Sequence, residues 1–143
     1  MELTVEIEGE GPQGELPGGG ADLVALMSFA VVRGFGARHP YIEIVDRLHL
    51  DHDVRLGPLT TFYEGLVEDE EDAMKLEMTW QDAPKLRASL EAMERGLAAG
   101  DAVLDALVAE VQGEGLREQC TAVLGLAREA EAQGKRIRLS YAL

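Results

Sequence analysis

Both ends of the chain alternate with period two, and their polar positions carry opposite charge. Leu3, Val5 and Ile7 share one parity against Glu2, Thr4, Glu6 and Glu8, the pattern of a strand with one buried and one wet face. Near the other end, Ile137, Leu139 and Tyr141 alternate with Arg136, Arg138 and Ser140. Acids facing bases across neighbouring strands contribute about 0.2–1 kcal/mol per pair. The two terminal strands are therefore expected to lie side by side, which constrains every segment between them.

Residues 9–20, GEGPQGELPGGG, are dominated by glycine with two prolines and read as a flexible loop. Ala21 to about Arg33 is apolar nearly all round, with Asp22 near its start and Gly34 and Gly36 at its end, which describes a helix buried on most sides. After Pro40, Ile42, Ile44, Leu48, Leu50, Val54 and Leu56 share one parity, and the segment reads as a long strand bent near Asp46. Gly57 and Pro58 turn the chain into Leu59–Val67, rich in β-branched and aromatic residues and expected to form a hairpin with the strand before it. The acids Glu68 to Asp72 form a connection, and Met74, Leu76, Met78 and Trp80 alternate with polar residues as a further strand. A helix is the competing reading of 59–79.

From Asp82 the period changes. Leu86, Leu90, Met93 and Leu97 mark one helical stripe that ends at Gly100, Asp101 caps a second helix running to about Gly113, and a third runs from Leu116 to Gly134. The order is βαβββαααβ. Runs segregated in this way indicate an α+β fold, a mostly antiparallel sheet of about five strands with helices packed on one face. At 143 residues the chain fits a single domain spanning 1–143.

Charge limits the function classes. The chain has 27 Asp and Glu against 13 Lys and Arg, a formal net charge of -14, whereas nucleic acid or an anionic membrane calls for a basic face. Neither is an expected partner. Hydrophobic residues make up 46% of the chain, so the acidity reflects excess acids and not a missing core. The single Cys120 rules out an internal disulfide and fits a reducing compartment, and the N-terminus lacks the features of a signal peptide. A cytoplasmic, soluble protein is expected.

No motif with specific catalytic or cofactor meaning is present, and no cofactor is expected. The glycine-rich loop lies between a strand and a helix, where phosphate-binding loops lie, but it lacks their spacing and their Lys and carries Glu10, Glu15 and Asp22. Cys120 falls in an apolar stripe and reads as a core thiol. The densest polar cluster is His49-Leu50-Asp51-His52-Asp53. On a strand, His49, Asp51 and Asp53 would project from one face at steps of about 7 Å and could converge on a metal. A solvated face is the simpler reading.

The acidic run Glu68, Asp69, Glu70, Glu71 and Asp72 is the densest patch of like charge. Such a patch keeps strand edges apart and steers a basic surface toward it. The leading expectation is a small, acidic, non-enzymatic protein that binds a basic protein partner through this run, as an inhibitor or immunity-type factor does. The alternatives are a metal-dependent enzyme or metal-binding protein using His49, Asp51 and Asp53, and a small-ligand-binding α+β domain. Exposed sheet edges would also allow a homodimer.

Overall fold

The computed structural model describes residues 2–36 and 38–142, and in it the expected pairing of the termini is present. Four strands, β1 (Glu2–Ile7), β2 (Gly11–Pro12), β3 (Tyr63–Glu64) and β4 (Ile137–Ala142), form one sheet in the order β2-β1-β4-β3. β1 and β4 run antiparallel in a register from Glu2 opposite Ala142 to Ile7 opposite Ile137. This register sets Glu6 against Arg138 (2.9 Å), and just beyond it Arg136 reaches Glu8 (2.6 Å). Leu3, Val5, Ile7, Ile137, Leu139 and Tyr141 are buried on the other face.

The sheet is smaller than the expected five strands and it is mixed, because β3 runs parallel to β4. Both edges are two-residue strands, a length that offers little template for pairing with another chain.

Six helices occupy the described residues: α1 (Ala21–Val32), α2 (Pro40–Asp51), α3 (Glu70–Glu77), α4 (Ala83–Ala98), α5 (Ala102–Glu110) and α6 (Leu116–Ala132). Short 3-10 turns span Pro17–Gly20 and Pro58–Thr60. α1, α4, α5 and α6 lie where the sequence places them. α4 packs along α6, burying Leu86, Leu90, Met93 and Leu97 against a core that includes Cys120, Val123, Leu124 and Ala127. Burying one such leucine contributes about 2 kcal/mol. α1 crosses the centre and contacts β1, α2 and α6, which accounts for its nearly uniform apolar sequence.

Two expected strands are helices. The segment from Ile42 is α2, and its buried residues Tyr41, Ile44, Val45 and Leu48 recur at the helical spacing of three and four. Ile42, Ile44 and Leu48 satisfy the period-two pattern as well. Val45 and Leu50 distinguish the two: a strand would expose the first and bury the second, but Val45 is fully buried and Leu50 is 67% exposed. Pro40 in the first turn and the His39 imidazole, which accepts the Tyr41 N–H, start this helix. The Met74–Trp80 alternation likewise gives way to α3, whose start is the acidic run. Of the strand expected over Leu59–Val67, only Tyr63 and Glu64 pair with the sheet.

The glycine-rich loop is more ordered than its composition suggests. It contains β2 and a turn in which Gly18, Gly19 and Gly20 all take positive φ. At Gly20 (φ 72°) a Cβ would come within 2.8 Å of Leu3 Cβ, so only glycine fits between the turn and β1. The α1 N-terminus that follows is already occupied. Leu23 N–H donates to the buried Gln119 Oε1 (3.0 Å), while Gly115 N–H at the start of α6 donates to Asp22 Oδ2 (3.0 Å). The two helix starts therefore cap each other, which satisfies amides that a phosphate would otherwise take.

Candidate functional site

The His49 cluster is dispersed over the end of α2 and the connection that follows it. His49, in the last turn, faces the connection that follows, and its Nδ1 lies 2.8 Å from the Val54 carbonyl oxygen. Because a carbonyl can only accept, Nδ1 carries the proton. Asp51 ends α2 in an exposed pair with Arg47 (3.5 Å). Asp53 is exposed and takes a left-handed φ of 57°. The strand geometry that would have aligned His49, Asp51 and Asp53 is absent, since the segment is a helix and a turn. Among the described residues no group of three or more His, Cys, Asp or Glu side chains is arranged to hold a metal ion.

His52, the residue after α2, meets Asp101. That carboxylate accepts from Arg47 Nε (2.7 Å), from His52 Nε2 (2.9 Å) and from Leu104 N–H (3.1 Å). The Arg47 guanidinium first, and His52 second, hold the Asp101 carboxyl well below the usual carboxylate range. The group joins the end of α2 to the start of α5. In sequence, only the capping role of Asp101 was legible.

Cys120 is buried, with Sγ donating to the Leu90 carbonyl (3.4 Å). Burial first, and the Glu94 charge second, push its thiol up to about 12. The sulfur stays protonated at neutral pH and serves as core.

The acidic run is the start of α3. Asp69 is the N-cap, accepting the Asp72 N–H (2.8 Å), and Asp72 accepts the Glu68 N–H (3.1 Å). Glu70, Glu71 and Asp72 occupy the first turn and Lys75 the last, which suits the helix dipole. Thus Asp69 and Asp72 serve the backbone, Glu71 pairs with Lys75 (3.3 Å) at the surface, and the Glu68 and Glu70 side chains face solvent.

Residues 64–80 are an excursion tied at both ends to the same strand. Gly65 N–H donates to the Tyr141 carbonyl (2.9 Å), and Gln81 exchanges backbone bonds with Ile137 (3.0 Å each). Next to the second tie, the Arg138 guanidinium stacks 4.2 Å from the Trp80 ring centroid and reaches Glu77 (3.5 Å).

Between these ties α3 buries none of its side chains. Met74 is 67% exposed and Met78 79%, with Leu66 (69%) and Val67 (49%) in the preceding loop. Seven acids and one lysine lie between residues 64 and 77. Around the terminal strands, by contrast, acids are matched with bases: Glu6 with Arg138, Glu8 with Arg136, Glu10 with Lys135 (3.0 Å). The sequence pointed to the acids of this surface but not to its exposed methionines, whose alternation imitated a strand.

No helix among the described residues is long and apolar enough to cross a membrane. Comparison with known protein families, curated proteins and solved structures finds no match.

Proposed function

We propose that the protein is a non-enzymatic binding module that holds a basic, amphipathic segment of another protein against α3 and the loop before it. One observation carries this reading: a helix without a buried side chain exposes Met74 and, one turn on at its C-cap, Met78, and the loop before it exposes Leu66 and Val67, inside the densest acidic stretch of the chain. Acids alone are explained by solubility and capping. Exposed thioethers in their midst are not, because water gains nothing from them and a partner does. Methionine packs adaptably against varied apolar surfaces, and the surrounding carboxylates favour a partner whose apolar stripe is flanked by Lys or Arg. An inhibitor or immunity-type role, neutralising a basic surface, belongs to this class.

The test separates recognition from folding. Asp69 and Asp72 cap α3 and should be kept, while Glu68, Glu70 and Glu71 are reversed to Lys. The probe is a synthetic amphipathic helix with leucine on one face and lysine on the other. Its affinity should fall about tenfold or more in the triple reversal and also in M74S/M78S, and should weaken with salt. Undiminished binding in both variants would refute the α3 surface.

A further inference from the structure

A second surface has the opposite electrostatic character. The end of α2, the connection 54–58 and the first half of α4 line an open groove of about 610 Å³. That size lies in the range of small-molecule sites. Leu56, Pro58 and Pro84 supply apolar lining, and His49, Arg55 and Lys85 supply the polar lining. No Asp or Glu lines it. In a chain with twice as many acids as bases, a groove lined by two cations, an imidazole and no acid runs against the general charge.

We propose that this groove binds a small monoanionic amphiphile, a single carboxylate on a compact apolar body. Arg55 makes no ion pair among the described residues, and its planar fork matches a carboxylate in two-point contact. Lys85 pairs with Asp82 at 3.5 Å, with both side chains largely exposed, a contact weak enough for a ligand to replace. His49 is fixed through Nδ1 on Val54, which leaves Nε2 without a protein partner among the described residues. Leu56, Pro58 and Pro84 take the body of the ligand.

The wall is held before any ligand arrives. The buried Ser89 hydroxyl donates to the Arg55 carbonyl (2.8 Å), joining the connection to α4, and Val54 N–H donates to the Leu48 carbonyl (3.1 Å), joining it to α2. A preformed wall lowers the ordering that binding requires. The net charge of -14 limits the ligand to one negative charge. A carboxylate seated between Arg55 and Lys85 is dominated by those neighbours, whereas a second charge farther out meets the acidic field of the whole protein.

Sodium octanoate and octylammonium chloride are suitable probes, titrated below their micellar range while the His49 ring C–H signals are followed by NMR. Octanoate should move those signals saturably and octylammonium should not. The exposed pair Arg55→Glu and Lys85→Glu should weaken octanoate at least tenfold with circular dichroism unchanged. The contrast between the two probes on the unaltered protein stands even where that variant fails to fold. Failure of octanoate to saturate, an equal response to octylammonium, or undiminished octanoate binding in the folded double variant would overturn the proposal.

Discussion

Helices α3 and α4 are neighbours in sequence, each preceded by an aspartate, and they are stabilised in opposite ways. Asp69 caps α3 through its side chain, whereas Asp82 makes no side-chain cap bond to α4. α4 instead buries Leu86, Leu90, Met93 and Leu97. α3, eight residues long with nothing buried, is shorter than the roughly 12–15 residues at which an isolated helix becomes marginal in water. It persists through its cap, its first-turn acids and the two ties to β4. A helix held by packing has committed its apolar face to the fold; a helix held by its ends keeps that face available.

The widest separation between the two helices should appear in stability. Leu90→Ala, at a fully buried position, should lower unfolding free energy by about 2–5 kcal/mol in a denaturant titration. Met74→Ala should stay within about 0.5 kcal/mol. Similar values for the two would mean that Met74 is packed in solution and would remove the contrast.

The mutual capping of α1 and α6 belongs to the packed part of the molecule. Gln119→Leu leaves the buried Leu23 N–H without its acceptor, and a loss of about 1–3 kcal/mol is expected. A smaller loss, about 1 kcal/mol, is expected for Asp69→Ala, and it should be local. Amide exchange should quicken across α3 while α4 and α6 keep their protection.

The smallest effect concerns pH. The Asp101 carboxyl is depressed by Arg47 and His52, so its contribution to stability is full above the ordinary aspartate range near pH 4. It is lost as pH falls through the lower folded value. Melting temperature measured from about pH 5 downward should therefore fall less steeply in Asp101→Asn, which keeps a capping oxygen but loses the charge. Identical acid limbs would show that Asp101 does not join α2 to α5 through its charge.

The same contrast explains what was legible in the sequence. α4 and α6 announce themselves because burial imposes one unambiguous stripe on each, α1 because it is apolar nearly all round between Asp22 and Gly34, α5 by its Asp101 cap, and the terminal strands because Leu3, Val5 and Ile7 mirror Ile137, Leu139 and Tyr141. α2 imitates a strand because Ile42, Ile44 and Leu48 satisfy both periods, leaving Val45 and Leu50 to decide. α3 imitates a strand for a deeper reason. With no buried face, its hydrophobic pattern carries no information about its period, and its only true signal was Asp69 followed by acids, which resembles any polar connection. The groove had no sequence signal at all, since His49, Arg55 and Lys85 meet only after α2 and α4 have packed. The acids of the α3 surface were visible as a run, but the division of labour among them, Asp69 and Asp72 for the helix and Glu68 and Glu70 for solvent, follows from the cap geometry.

The central claim is that α3 is a helix exposed for a partner's use. It is tested most directly by amide-resolved NMR of the full chain during titration with the leucine-lysine amphipathic helix. Shifts should concentrate in residues 64–78, saturate, and recede as salt is raised, while α4 and α6 stay still. Shifts spread over the acids of the whole surface, or centred away from α3, would contradict it.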